Sequence, residues 1–208
     1  FPLWRDTIML DQPFAANPLY KTNYPLQWLA LTLPPSLHWN VMIIVHLCLA
    51  GVGMWLWTRK LGLRAEAGAV GATAFMFTPF LVAVLAGGFD LLYAMSWFPW
   101  LMWSLPAGKQ HNGSSLVPIL RTGLIAAMLC IGGIWIISFA FPIAVVYEGY
   151  HSLRLRRWLS IGYSLASLPV FLLLVAGLVV PILLWSPHVN RGHLTAADSG
   201  SPALTPEM

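Results

Sequence analysis

From residue 38 to residue 58 the chain carries no Asp, Glu, Lys or Arg, and Pro34-Pro35 and Arg59-Lys60 close the run at its two ends. A bilayer core about 30 Å thick takes about 20 apolar residues in a helix, because hydrocarbon offers no partner for a stray backbone N–H or C=O. Runs at 67–86, 91–105 and 159–185 repeat the pattern; 91–105 is short with Pro99 inside it, and 159–185 is long enough to tilt or to kink at Pro169 and Pro181. The chain is 58% hydrophobic and only 9% charged, which excludes an ordinary water-soluble domain. Its net charge of +4 therefore reads as lysines and arginines gathered on loops, and no basic face interleaved with aromatics points to nucleic acid.

The stretch 116–153 admits one long helix or two short ones hinged at Gly132-Gly133. Charge decides between them. With two helices, the basic residues near 59–64, 109–121 and 154–157 share one side, which then holds eight of the eleven Lys and Arg; Arg5, Lys21 and Arg191 remain opposite. The positive-inside rule makes the crowded side cytoplasmic. The expected fold is all-α, a polytopic bundle of about six spans. An extracytoplasmic loop of short helices covers 1–37, the transmembrane bundle 38–186, and an extracytoplasmic tail or the start of a further loop 187–208. The chain starts at Phe1 without an initiator Met, and reads as a piece of a longer protein.

Gly51 and Gly53, and Gly68 and Gly71, sit at spacings that let helix backbones approach, and no strand or phosphate loop surrounds them. Cys48 and Cys130 fall in apolar runs, where a thiol acts as a small hydrophobe. Trp39, Trp55, Trp57, Trp158 and Trp185 stand near span ends, as interfacial anchors do.

Chemistry has few places to go. His46 is the one imidazole deep in a span, either functional or neutral and bonded across helices. Asp90, after Gly87-Gly88, is an outer-lip carboxylate or a cap for the following helix with Tyr93 as a donor to it. Glu148 reads as an ion-pair partner of the Arg154 cluster, with His151 interfacial beside it. The opening segment holds Asp6, Asp11, Asn17, Lys21 and Tyr24 among prolines, with Phe1, Trp4, Phe14 and Trp28 as apolar anchors. Such a segment is too apolar for a disordered tail and should lie on the outer surface as short helices and turns. A carboxylate held there can act as general base and a nearby Lys or Arg can receive phosphate; helix capping is the structural alternative for both Asp residues.

The order and spacing of "DQPFAANPLYKTNYPLQWL", "HLCLAGVGMWLWTRKLGL", "GAVGATAFMFTPFLV" and "SWFPWLMW" resemble the N-terminal half of the YfhO-like bacterial membrane proteins, among the type C glycosyltransferase-like folds. The matches are Pro2-Leu3-Trp4, Pro13-Phe14 with Ala16-Asn17-Pro18, Tyr24-Pro25, His46-Leu47 with Leu49-Ala50-Gly51 and Gly53, Arg59 with Leu61-Gly62, and Trp97 with Pro99. Arg5 and Asp11 depart from the pattern, standing where the family usually has Asn and Gly.

The resemblance implies residence in the bacterial cytoplasmic membrane and sugar transfer at its outer face, from a polyprenyl-phosphate-linked donor to a hydroxyl. In that family the usual catalytic Asp follows a helix that would precede Phe1. Among the residues present, Asp11 is the first candidate carboxylate, with Asp6 and Asp90 behind it; Lys21 and Arg191 are the phosphate partners, and Tyr24, Asn17 and His46 line the substrate site. No metal ligands are assigned, a divalent ion stays open as a cofactor, and membrane lipids and other membrane proteins are the expected partners. The competing class is a non-catalytic structural or transporter-like subunit.

Overall fold

The computed structural model describes residues 4–5, 12–13, 21–82, 90–106, 116–156 and 158–185, with side chains for all of these but 4, 5, 12, 13 and 90. Apart from a two-residue antiparallel pair, Trp4–Arg5 with Gln12–Pro13, the described chain is all-α. Its helices are α1 (Pro35–Lys60), α2 (Ala65–Met76), α3 (Asp90–Met95), α4 (Phe98–Ser104), α5 (Leu116–Gly132), α6 (Ile137–Leu155), α7 (Leu159–Ala166) and α8 (Leu168–Trp185). Short 3-10 runs, Pro25–Leu31 and Ile134–Ile136, precede α1 and α6. Among the described residues, four stretches are long and apolar enough to cross a membrane, namely Pro35–Lys60, Ala65–Val82, Ile134–Leu155 and Leu159–Trp185; Leu116–Gly132 is apolar but shorter.

Prolines set most of the breaks. A proline inside a helix has no N–H to donate and its ring crowds the carbonyl four residues earlier. Pro79, Pro99 and Pro169 would crowd Phe75, Met95 and Leu165, and the helices before them end at Met76, Met95 and Ala166. The stretch 91–105, expected as one short span, is therefore two helices separated by a turn at Ser96-Trp97. The other break is the double glycine. There α5 ends at Gly132, and Gly133 is extended (φ −177°, ψ 100°) before the chain turns into α6.

Polarity is inverted relative to a soluble protein. Leu31, Val70, Phe139, Val145, Val146, Leu173 and Leu184 are exposed, whereas His46, Ser96, Ser104 and Ser152 are fully buried. Two of the buried hydroxyls are satisfied within their own turns: Ser96 donates to the Tyr93 carbonyl at 3.1 Å and Ser104 to that of Leu101 at 2.8 Å. An outside this oily, over helices long enough to cross a bilayer, is consistent with lipid as its solvent. The core joins α3, α4, α5 and α6 through Ala94, Leu101, Met102, Leu129 and Ala140.

The small residues pack as their spacing predicts. A methyl on Gly51 would collide with Met76 Sδ, and one on Gly53 would stand 2.5 Å from the Trp100 ring, whose indole N–H donates to the Leu49 carbonyl at 2.8 Å. Trp39, Trp55 and Trp158 are exposed as expected of anchors. Trp57 instead packs inward, edge to face with Tyr147 at 6.1 Å.

One end of the bundle is basic. Lys60 donates to the carbonyls of Met102 (3.2 Å), Trp103 (2.9 Å) and Leu105, while Arg121 reaches the Ser104 carbonyl at 3.0 Å and lies over the Trp103 ring at 4.6 Å. A helix leaves its last carbonyls without N–H partners, and cations there also meet the negative end of its dipole. Replacing Lys60 with Met keeps the apolar stem and removes every donor, so stability should fall by about 1–2 kcal/mol. Arg59→Ala, which removes a bond to the exposed Leu63 carbonyl, should change it by less than about 0.5 kcal/mol. Denaturant titration of the purified protein measures both.

Candidate functional site

The opening segment enters the bundle at Tyr24. Lys21 adopts the left-handed backbone region (φ 53°), which turns the chain so that the Tyr24 N–H donates to the Lys21 carbonyl at 2.9 Å. The turn points the Tyr24 ring inward, where it has no solvent exposure at all. Its hydroxyl stands 2.7 Å from His46 Nε2 and receives the indole N–H of Trp97 at 2.8 Å. His46 Nδ1 lies 2.6 Å from the Met42 carbonyl, one turn back on α1.

The direction of every proton in this chain follows from its two ends. Trp97 can only donate and the Met42 carbonyl can only accept. Nδ1 of His46 therefore carries a proton, and when the ring is neutral Nε2 accepts from Tyr24, which itself accepts from Trp97. Burial pushes the Tyr24 phenol's pKa up, against the lowering effect of the Trp97 bond, so the hydroxyl keeps the proton this chain needs. Tyr93 completes the cluster: its ring lies 4.5 Å from the His46 ring and meets Tyr24 edge to face at 5.2 Å, and its hydroxyl donates to Gln27 Oε1 at 3.3 Å.

A second attachment comes from a proline. Pro181 inside α8 has no N–H, so the carbonyl of Gly177 lacks its helical partner; the Asn23 side-chain amide donates to it at 3.3 Å. The segment is thus fastened at α1, Trp97, α3 and α8 by the side chains of Asn23, Tyr24 and Gln27. Lys21 itself is buried.

Of the residues chosen from sequence, Tyr24 and His46 touch here, and Lys21 meets Tyr24 through its backbone carbonyl. Asp6, Asp11, Asn17 and Arg191 lie outside the described residues, as does the side chain of Asp90, which begins α3. Both ring nitrogens of His46 are engaged within the protein, as the bonded alternative for a deep imidazole requires. Glu148 is buried on α6 in line with Ala144 and Ser152, and the Ser152 hydroxyl bonds that of Ser160 at 2.7 Å. His151 stacks among rings, 4.6 Å from Tyr147 and 5.4 Å from Tyr150. Among the described residues no three His, Cys, Asp or Glu side chains converge as metal ligands.

Apolar cavities flank α6. One of about 420 Å³, toward the end where Tyr24 enters, is walled by Phe80, Leu91, Met95, Phe98, Trp135 and Phe139. A second, of about 560 Å³ toward the basic end, lies between Trp57 and Met102 on one side and Val146, Tyr147 and Tyr150 on the other; the two share Ile143. Compared with known protein families, curated proteins and solved structures, this chain matches none.

Sequence reasoning placed His46 and Tyr24 on one list without seeing that they touch, and it missed Trp97, Asn23 and Gln27. A signal for Asn23 was present: an interior proline in a membrane helix advertises a vacant carbonyl four residues before it, and an amide on a nearby loop can fill it.

Proposed function

We propose that this chain is the outer-face and membrane-embedded part of a YfhO-like, type C glycosyltransferase-like protein. In this reading six spans carry an extracytoplasmic opening segment, and a sugar passes from a polyprenyl-phosphate donor to a hydroxyl acceptor at the outer face of a bacterial cytoplasmic membrane. What supports it is the fastening of the opening segment at its described end: Tyr24 and Asn23 hold residues 21–27 against α1 and α8, and a fixed segment is what positioned acid-base chemistry at a membrane surface requires. The cavity beside Phe80 and Trp135, at the same end, offers the donor's chain an apolar seat. Asp11, with Asp6 and Asp90 behind it, supplies the carboxylate in this reading, and Lys21 and Arg191 receive the phosphate.

One observation favours a non-catalytic subunit instead. Tyr24 and His46, two of the residues assigned to substrate, spend their hydrogen-bonding capacity on each other, Trp97 and Met42. The test is transfer from a polyprenyl-phosphate sugar by the full-length protein. Asp11→Ala and Lys21→Ala should each lower transfer at least about tenfold with the protein still folded, the range expected when a general base or a charge-assisted phosphate contact is lost. Unchanged transfer by both variants would remove these assignments, and absence of transfer by the wild type would favour the structural subunit.

A further inference from the structure

The cavity at the basic end belongs to no step of that reading. Its walls are Trp57 of α1, Met102 of α4, and Pro142, Val146, Tyr147 and Tyr150 of α6. Val146 and Tyr150 stay exposed at 71% and 56%, so the cavity is open sideways, toward lipid. From Pro142 to Tyr150 the groove runs eight helical residues, about 12 Å, close to the roughly 15 Å hydrocarbon depth of one leaflet. Its mouth is marked by a cation: Arg154, one turn beyond Tyr150, donates to the Tyr150 hydroxyl at 3.3 Å.

Charge complementarity says what fills it. The described basic residues Arg59, Lys60, Arg64, Arg121, Arg154 and Arg156 lie at helix ends or loops on this side of the bundle. Lys60 and Arg121 are spent on the carbonyls that end α4, and Arg59 on that of Leu63. Arg154 is anchored through one nitrogen on a hydroxyl of the groove wall, and a guanidinium has further N–H donors for a phosphate. Glu148 is buried in line with Ala144 and Ser152, on another face of α6 from Tyr150 and Arg154.

We propose that this groove is a binding site for an anionic phospholipid of the leaflet at the basic end, one acyl chain lying along α6 between Trp57 and Val146 and the phosphate resting on Arg154 and the Tyr150 hydroxyl. The site is independent of sugar transfer.

The experiment is native mass spectrometry of the full-length protein released from vesicles holding equal phosphatidylglycerol and phosphatidylcholine. The wild type should retain phosphatidylglycerol preferentially. Arg154→Gln should lower that preference about fivefold, the effect of one basic side chain near an anionic surface, and Val146→Trp, which fills the groove and leaves Arg154 in place, should abolish retention of both lipids at this site. Arg64→Gln, a cation at the same end away from the groove, should leave the preference as it was. Both groove positions are exposed, so the variants should fold, and thermal unfolding checks that they do. Equal retention of the two lipids by the wild type overturns the proposal. So does a preference that survives Val146→Trp, an Arg64→Gln loss as large as that of Arg154→Gln, or a second protein chain retained where lipid is expected.

Discussion

Tyr24→Phe is expected to lower the stability of the protein by about 2–4 kcal/mol although it deletes one oxygen atom. The phenol hydroxyl is both donor to His46 Nε2 and acceptor from Trp97, at 2.7 and 2.8 Å. Removing it strands two buried polar groups at once, each costing about 1–3 kcal/mol, far more than the loss of an exposed hydroxyl. His46→Leu strands one donor, the Tyr24 hydroxyl. In the double variant Tyr24→Phe with His46→Leu, only the Trp97 N–H lacks its partner, so the combined loss should fall short of the sum of the single losses by about 1–2 kcal/mol. Denaturant unfolding of the four proteins in one detergent measures the coupling. Strict additivity would mean that the chain of hydrogen bonds does not operate as a unit.

The same variant has a local consequence. Asn23, Tyr24 and Gln27 hold the opening segment to α1, Trp97, α3 and α8, and Tyr24 is the only one of them whose side chain has no exposure and two bonded partners. Loss of its hydroxyl should free the segment before it frees the helices, seen as faster proteolysis or hydrogen exchange around Lys21 while the spans stay protected.

Helices were legible because their signals are local. Charge-free length identified α1 and the final span, Gly132-Gly133 identified a break, and the placement of the arginines argued for that break. Pro99 was visible too, but its effect was misjudged: a proline in a run of about fifteen residues leaves too little helix on either side to remain one element. The site was less legible, because the bonds that bring its elements together join residues 22 to 154 positions apart. Helix faces gave no help in finding such partners: these helices are apolar nearly all round, so hydrophobic periodicity, which reports the buried face in water, does not report it in lipid. Only chemistry of individual residues remained as a guide, a deep imidazole that needs partners and an interior proline that leaves a carbonyl without one.

The second large effect is expected at Gly132, where α5 crosses α3. A β-carbon built there stands 2.9 Å from both the carbonyl carbon and oxygen of Tyr93 and 3.0 Å from the Ala94 nitrogen. These are backbone atoms, which cannot step aside as the tip of a side chain can, so Gly132→Ala must push α3 away from α5. Overpacking of this kind costs about 1–3 kcal/mol, and it outweighs the gain of under about 1 kcal/mol that alanine normally brings to a helix. Gly149 and Gly162, also helical, have nothing within 4 Å of the same position, and alanine there should be neutral or stabilising by about 0.4–1 kcal/mol. The contrast separates close packing from glycine's flexibility. It also reaches the site, because the backbone that Gly132→Ala displaces carries the Tyr93 ring that stands 4.5 Å from His46. The double variant Gly132→Ala with Tyr24→Phe should therefore lose less than the sum of its parts, since a displaced Tyr93 already loosens the cluster that Tyr24→Phe breaks. If the two losses add, the α3 to α5 crossing and the Tyr24 cluster are energetically separate, and Gly132 serves packing alone.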